Sequence, residues 1–238
     1  KIFEMNFSEA ISKSLITDYK IWLPSIHEDN SKLEEEISVY DIDTSIRNKL
    51  VYLFSCLLNT GSRKCIVYCC DTKEIACMRD AIDMLNGFYY LDIHHDQITS
   101  IDNPEQRSVK LNVFSESSKL ELLFSVRILD ECIDIPSCDS VYITYPSSSK
   151  IRTIQRICRS VRIDKYNKFK IANIFIWCDE YDTIVDTLSG IKEYDCEFTK
   201  KVSVNQNRFY DCLSVKDEKV EADKIAVEQF VIGIKEFR

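Results

Sequence analysis

Short apolar runs alternate with longer amphipathic segments along most of this chain. A continuous apolar run such as residues 65–70 is typical of a strand buried on both faces of a sheet. The pattern predicts strands over residues 19–24, 65–70, 88–93, 121–126, 139–145 and 171–178. It predicts helices over residues 45–59, from Asp71 onward, and over 104–115, 150–163 and 180–193.

Two of the predicted helices have a clear buried side. The first carries a stripe of apolar side chains at helical spacing: Ile46, Leu50, Leu53, Phe54, Leu57 and Leu58. The second opens with Asp71 followed by Glu74, the spacing of a capping box. Its predicted buried stripe is Ile75, Met78, Ile82 and Leu85.

The order of the elements predicts the fold class. Strands that alternate with helices form βαβ units, and such units build a parallel sheet covered on both faces. We therefore expect an open α/β fold with ligands at the carboxyl ends of the strands. The fold class alone does not determine a function, because such folds support many chemistries.

Composition agrees with a folded core and gives a mixed electrostatic picture. The chain has 238 residues, 45% of them hydrophobic, with four glycines and four prolines, which favours one large domain or one domain with an extension. The net charge is −8, so the chain as a whole is not an obvious nucleic-acid binder. The charge is uneven, however, because residues 28–43 are mostly acidic and residues 147–170 strongly basic.

The cysteines favour a reducing, intracellular compartment. There are 11 of them, an odd number, placed mainly in apolar runs and without a secretory signal. No C-x-x-C pair suggests a zinc site, and no apolar run reaches the roughly 20 residues that a membrane span needs. We expect free buried thiols, no metal cluster and no membrane.

Residues 151–162 carry the first candidate chemistry. On a helix, Ile151, Ile154, Cys158 and Val161 form one stripe, predicted to be buried. A neighbouring stripe holds Arg152, Gln155, Arg159 and Arg162. Arginine forks match phosphate oxygens and keep their charge at all relevant pH values. From spacing alone, a solvated basic face remains an equal alternative.

Residues 126–136 carry the second, where a predicted strand leads into Asp130, Glu131, Asp134 and a turn at Pro136. Alone, this segment is equally compatible with an ordinary exit from a strand.

In this order and about 20 residues apart, however, the two segments resemble motifs V and VI of superfamily 2 helicases. Glu131, Asp134, Ile135 and Pro136 match the pattern EGxDIP, and Gln155, Arg156, Arg159 and Arg162 match QRxGRxxR. Residues 65–76 resemble motif IV, and 97–114 resemble the helix ending in Phe that precedes motif V.

The resemblance implies a RecA-like open parallel sheet with helices on both faces and a mixed C-terminal extension. In this family two RecA-like domains close over ATP, the first holding the phosphates and magnesium, and the second supplying motif VI. By resemblance, Gln155 and Arg159 line the nucleotide cleft and Arg162 is the arginine finger, so Arg159 and Arg162 are the candidate catalytic residues. Asp134 and Glu131 match motif V positions that link this cleft to the nucleic-acid groove.

A nucleic-acid surface is expected at the strand ends. By resemblance it comprises Ser125, Arg127, Thr99 and Ser100 and binds DNA or RNA, single-stranded and independent of sequence. The chain departs from the family pattern at Cys132 and Cys158, which replace glycines. It also has Val126 where many relatives have a phosphate-contacting threonine.

No P-loop accompanies these motifs, because no glycine is followed by lysine. Thr60–Lys64 precedes a predicted strand rather than following one, and Cys178–Asp182 resembles a Walker B box without the P-loop it would serve. We assign His94 and His95 to a strand end rather than to catalysis. The first RecA-like domain, which would hold most of the ATP and magnesium contacts, is expected to precede Lys1.

The predicted organisation is a linker and first strand over residues 1–30, the RecA-like domain over 31–195, and an extension over 196–238. The expected role is the C-terminal motor domain of an ATP-dependent helicase or translocase, inactive by itself. Three alternatives remain: the motor of a restriction-type nuclease, a degenerate helicase domain acting as an interaction module, or another doubly wound α/β enzyme. The sequence has no dinucleotide glycine fingerprint, which argues against the last alternative.

Overall fold

The computed structural model describes residues 5–24, 42–89, 92–130, 134–145, 149–178, 181–195 and 197–204. The helices are α1 (Phe7–Ser12), α2 (Thr44–Thr60), α3 (Thr72–Tyr89), α4 (Pro104–Glu116), α5 (Lys150–Ser160) and α6 (Tyr181–Tyr194). The strands are β1 (Tyr19–Leu23), β2 (Lys64–Tyr68), β3 (Ile93–Ile98), β4 (Leu120–Ser125), β5 (Ser140–Ile143), β6 (Ala172–Ile176) and β7 (Val202–Val204). Short 3₁₀ turns occupy Ile128–Asp130 and Phe198–Lys201.

The strands form a seven-stranded sheet in the order β3-β4-β2-β5-β6-β1-β7, and every described pair is parallel. This confirms the predicted open parallel sheet. A continuous row of paired residues marks its carboxyl edge: Ile98, Ser125, Tyr68, Ile143 and Ile176. Loops that follow this row lie at one edge of the sheet, and loops that precede the strands lie at the other.

Helices cover both faces of the sheet, as predicted. Neighbouring residues of β2 separate into two cores: Ile66 and Tyr68 pack in one, Cys65 and Val67 in the other. The first core includes side chains of α1, α4, α5 and α6, and the second includes those of α2 and α3. The alternation follows from the two-residue period of a strand. The central strands are therefore apolar on both sides.

Local capping explains where the helices begin. Asp43 accepts hydrogen bonds from the backbone of Ser45 and Ile46 at the start of α2 (2.9 and 3.3 Å). Asp71 accepts from the backbone of Glu74 (2.8 Å), so the predicted start of α3 is confirmed, but the Glu74 carboxylate accepts from Cys70 N–H (2.7 Å) instead of completing a capping box with Asp71. At the other end of α2, Gly61 has a φ of 66°, a left-handed conformation that glycine adopts without a steric penalty.

The third strand was predicted five residues too early. The chain remains helical through Tyr89, and β3 covers Ile93–Ile98, so His94 and His95 lie within a strand rather than after one. The Asn86 side chain fixes the start of β3, because it donates to the carbonyl of Ile93 (2.7 Å) and accepts from its N–H (3.1 Å). The polar residues of β3 are tolerated because it is an edge strand, which is only partly covered.

Two elements were not predicted from the sequence, α1 and β7. Helix α1 is anchored through Asp195, which accepts hydrogen bonds from Ser8 (2.6 Å) and Tyr19 (2.7 Å), and β7 pairs directly with β1. Strand β1 lies between β6 and β7, so the sheet extends into both flanking segments of the predicted organisation. The predicted boundaries at residues 30 and 195 remain predictions.

Among the described residues, no helix is long and apolar enough to cross a bilayer. Nor does the described part of the chain hold a group of three His, Cys, Asp or Glu side chains that could bind a metal ion. The cysteines described as free thiols are Cys56, Cys65, Cys69, Cys70, Cys77, Cys138, Cys158 and Cys178.

Candidate nucleotide and nucleic-acid site

Helix α5 carries the motif VI residues. It begins at Ser149, whose hydroxyl accepts a hydrogen bond from the backbone of Arg152 (3.4 Å). Ile154 and Val161 are buried in the predicted stripe and Cys158 is half-buried, whereas Ile151 is 64% exposed. The prediction that Ile151 is buried is therefore wrong, because the first turn of α5 leaves that side of the helix open to solvent.

The arginines of α5 differ sharply in their surroundings. Arg156 and Arg159 are buried, at 5% and 7% exposure, while Arg162 is exposed just beyond the helix. The Arg156 guanidinium lies over the ring of Tyr68, 4.8 Å from its centroid, a cation–π contact that joins α5 to the sheet. Arg152 and Gln155 are half-buried.

Arg162 lies beside the end of motif V. Its Nε is 3.7 Å from Oδ1 of Asp134, and both side chains are largely exposed, at 46% and 70%. Such an exposed contact contributes little free energy, so the Arg162 guanidinium stays open to solvent. The structure thus brings together two of the predicted nucleotide-binding residues. Glu131, a third, lies outside the described residues.

Lys170 connects the ends of motifs V and VI. Its ammonium donates to the carbonyl of Pro136 (2.7 Å) and to the carbonyl of Arg162 (2.8 Å). Lys170 is 6% exposed, and burial lowers the pKa of its ammonium below the ordinary value. The sequence predicted Lys170 only as part of a basic segment, because its two carbonyl partners are set by the folded loops.

The second group of predicted residues follows β4. Ser125 is fully buried, and its hydroxyl has no hydrogen-bond partner among the described residues. Arg127, two residues later, is exposed and has a φ of 62°, the left-handed region that is costly for residues other than glycine. A tight turn forms here, because Ile128 N–H donates to the carbonyl of Val126 (2.7 Å).

Thr99 and Ser100 follow the neighbouring strand β3. Thr99 is buried and donates through its backbone N–H to Asp102 (2.7 Å), while Ser100 is exposed. Lys110 of α4 donates to Asp102 (2.8 Å) and to the carbonyl of Gln97 (2.7 Å). The hydrogen bond from Lys110, with that from Thr99, lowers the pKa of Asp102. Thr99 therefore stabilises this turn.

The predicted residues form two groups at opposite edges of the sheet. Thr99, Ser100, Ser125 and Arg127 follow the carboxyl ends of β3 and β4, which pair at Ile98 and Ser125. Arg162 lies before β6 and Pro136 lies before β5, so both are at the amino edge of the sheet. Lys170 donates to the carbonyls of both residues and holds them close together. Motif V runs between the edges, so it links them along the chain.

A polar network missed by sequence reasoning lies near the carboxyl edge. Lys49 and Glu74 form a buried ion pair (2.6 Å), with 10% and 5% of their side chains exposed. Glu74 also accepts from the backbone of Cys70 (2.7 Å) and from the Thr144 hydroxyl (2.8 Å). Burial alone would raise the pKa of Glu74, but the bonds from Lys49 and Cys70 hold it below the ordinary value. Glu74 was predicted only as a capping residue.

The histidines have structural partners. His95 lies 2.8 Å from Asp83 and accepts from Arg79 (3.1 Å), which joins β3 to α3. His94 lies at the sheet edge with Lys119 3.0 Å away. Thr60–Lys64 contains the end of α2 and the start of β2, not a phosphate loop. Asp179 and Glu180, the centre of the Walker B-like segment, lie outside the described residues.

Comparison with known proteins gives a family match and a set of structural matches. Residues 48–164 match the model of the helicase conserved C-terminal domain. No curated protein matches the chain in sequence. The chain resembles the DNA-bound ATP-dependent Type ISP restriction-modification enzyme LlaBIII, with a TM-score of 0.68 and 16% identity over 98% of this chain and 18% of that one.

Two further structures extend the comparison. A fragment of an HsdR subunit of a type I restriction enzyme from Vibrio vulnificus matches with a TM-score of 0.55 and 16% identity, over 83% of this chain and 38% of that one. Dbp5 from S. cerevisiae, bound to RNA and ADP BeF3, matches with a TM-score of 0.54 and 14% identity, over 90% and 45%. The chain thus spans less than half the length of each of these three structures. At these identities the likeness shows the RecA-like fold, and residues 48–164 match the helicase conserved C-terminal domain.

Proposed function

We propose that this domain is the second half of an ATP-driven nucleic-acid motor, acting with an N-terminal RecA-like domain of the same parent protein. The observation that carries the proposal is the exposed guanidinium of Arg162, held beside Asp134 at one edge of the sheet. A strand-end surface around Arg127 lies at the other edge. The domain thus presents an arginine suited to binding phosphate and, separately, a candidate nucleic-acid surface.

Arg162 is the proposed arginine finger. Phosphoryl transfer spreads negative charge over the oxygens of the transferred group, and a positioned arginine contributes about 10³–10⁵ in rate. Arg162 is suited to this role because its backbone is anchored by Lys170 while its side chain stays exposed. Gln155 and Arg159 would line the same cleft, with Arg159 supporting it from a buried position.

ATP binding by this chain alone would rest on arginines rather than carboxylates. The described residues hold no group of three acidic, His or Cys side chains suited to a metal ion. Magnesium, which bridges phosphate oxygens and neutralises charge, would be held mainly by the N-terminal domain. Asp134, and Glu131 outside the described residues, would link the cleft to the nucleic-acid surface.

The proposed nucleic-acid surface comprises Arg127 and Ser100, which are exposed, with Thr99 and Ser125 behind them. The left-handed backbone at Arg127 supports this assignment, because strain is retained where function requires a particular geometry. Backbone contacts would make binding independent of sequence and steeply dependent on salt. The occupant is single-stranded DNA or RNA.

The test compares Arg127→Ala with Arg162→Ala in the full-length protein, using fluorescence anisotropy on a labelled single strand without nucleotide. We expect Arg127→Ala to weaken binding about tenfold, the loss of one charge-assisted phosphate contact of about 1.4 kcal/mol. Arg162→Ala should leave affinity within about twofold, since it faces the other edge. If Arg162→Ala weakens binding and Arg127→Ala does not, the two surfaces have been assigned to the wrong ligands.

A further inference from the structure

The loop between α5 and β6, residues 162–171, exposes two aromatic rings. Tyr166 is 101% exposed and Phe169 is 94% exposed. Ile163 and Ile171, at the two ends of the same loop, are 43% and 48% exposed. Single apolar residues on a surface need no explanation, but several in one short loop indicate a binding surface.

Hydrogen bonds within the loop order the backbone that carries these rings. The Asp164 carboxylate accepts from Tyr166 N–H (2.9 Å), and the Asn167 amide oxygen accepts from Phe169 N–H (3.2 Å). Lys170 closes the loop through its bond to the Arg162 carbonyl (2.8 Å). The backbone of each aromatic residue therefore lies in its own small turn, so less backbone entropy is lost when a ligand binds.

Charge and shape define the ligand. Lys165 and Lys168 are exposed on the same loop, which begins with the exposed Arg162, although the whole chain carries a net charge of −8. Aromatic rings interleaved with cations suit a ligand that combines flat rings with negative charge, as nucleotides do. The loop thus has the chemistry of a nucleotide-binding surface.

Phe169 also lines an open cavity large enough for a ring system. Its volume is about 400 Å³, within the range of small-molecule sites. Trp22 provides a second aromatic wall, and the amide side chains of Asn59, Asn167 and Asn173 face the same space. The Asn173 amide is held by Trp22 (2.9 Å) and Ser62 (3.0 Å), so it fixes the wall of the cavity.

We propose that Tyr166 and Phe169 form the stacking platform for the base of the ATP whose γ-phosphate meets Arg162. This inference rests on the proposed function, which places that phosphate at Arg162. Tyr166 follows Arg162 by four positions, a reach of at most about 14 Å, so Tyr166 lies within one nucleotide length of the finger. The nucleic-acid surface follows the carboxyl ends of the strands, at the other edge, which favours ATP over an oligonucleotide as the occupant.

The experiment measures steady-state hydrolysis by the full-length protein carrying Tyr166→Ala, Phe169→Ala or both. Base stacking contributes about 1–3 kcal/mol, so the double variant should raise KM for ATP about tenfold or more and leave kcat within about twofold. Ribose 5-triphosphate, which has no base, should inhibit the variant and the parent competitively with the same Ki. Tyr166→Phe and Phe169→Tyr should restore the KM, and Lys192→Ala, at an exposed cation of α6, should change nothing.

The outcomes separate this inference from the proposed function. An unchanged KM for ATP, or equal losses for ATP and ribose 5-triphosphate, would overturn the platform. Weaker oligonucleotide binding with an unchanged KM would also overturn it, because the occupant would then be nucleic acid. Arg162→Ala is measured in parallel: if it lowers kcat while the platform variants have no effect, only the platform fails. If Arg162→Ala has no effect on kcat, the proposed function itself fails.

Discussion

At the scale of single residues, the same side-chain chemistry takes different roles according to burial. Of the arginines in the motif VI segment, Arg156 packs on Tyr68, Arg159 is buried and Arg162 is exposed. The sequence predicted that guanidiniums gather here, since helical spacing determines which of them are neighbours. It could not predict which one stays accessible, because that depends on the end of α5 and on the later residue Lys170.

Arg127 allows a test of whether a strained backbone is retained for nucleic-acid binding. Its φ of 62° favours glycine, so Arg127→Gly should stabilise the domain by about 1 kcal/mol, at the lower end of the left-handed penalty. The same substitution should weaken nucleic-acid binding as much as Arg127→Ala does. Urea unfolding measures the first effect, with Arg127→Ala as the control that keeps the strain. A loss of stability in Arg127→Gly would show that the arginine itself stabilises the turn.

Lys170 should act as a positioning residue for Arg162. Lys170→Met removes the two hydrogen bonds to Pro136 and Arg162, so the finger should lose its fixed geometry. We expect kcat of the full-length protein to fall at least about tenfold with little change in KM, since misplacement affects the transition state most. Lys170→Arg should recover part of the rate, and Lys192→Met is the matched control. A uniform rise in KM at constant kcat would contradict this role.

At the scale of secondary-structure elements, prediction succeeded in the interior of the sheet and failed at its edges. The apolar runs of β2 and β6 are short and continuous, as is typical of strands buried on both faces of a sheet. The polar strand β3 and the three-residue β7 are edge strands, whose pairing depends on partners distant in sequence. Helices α2 and α3 were predicted from apolar spacing, but their bridging ion pair was not, because Lys49 and Glu74 are 25 residues apart.

The Lys49–Glu74 pair should hold α2 against α3. Removing one partner leaves a buried charge, so Glu74→Gln should lower the free energy of unfolding at pH 7 by about 3–5 kcal/mol, whereas Lys49→Met with Glu74→Leu should lower it much less. Because the folded pKa of Glu74 is lowered, its contribution is present above the unfolded pKa of about 4.3 and is lost as pH falls through the folded pKa. Urea unfolding at pH 3–7 measures both. If Glu74→Gln lowers the free energy of unfolding no more than the double variant does, the two residues are not coupled.

At the scale of the whole molecule, the fold presents two candidate surfaces at opposite edges of one sheet. The parallel sheet separates a carboxyl edge with Arg127 from an edge with Arg162, and motif V runs from one to the other. The sequence predicted this fold and the family resemblance, both now supported by the family match over residues 48–164. It could not predict that Tyr166 and Phe169 are exposed, because the sequence alone does not show whether an aromatic side chain is buried or exposed.

Because no P-loop lysine occurs in the sequence, the purified 238-residue chain should not hydrolyse ATP. A phosphate-release assay with single-stranded DNA and RNA present checks this expectation, with a mock purification as the baseline. Nucleic-acid-stimulated turnover above that baseline would mean that the chain holds a complete ATP site of its own.

The assignment of Arg162 as the arginine finger is tested most directly by ATP hydrolysis in the full-length protein carrying Arg162→Ala, measured beside its equilibrium affinity for ATP. A finger acts mainly on charge that develops in the transition state, so kcat should fall by about 10³-fold or more while the Kd for ATP changes only a few-fold. Lys192→Ala, another exposed cation on this domain, should retain the parent rate. A kcat within about threefold of the parent would contradict the assignment of Arg162, since a finger changes the rate by orders of magnitude.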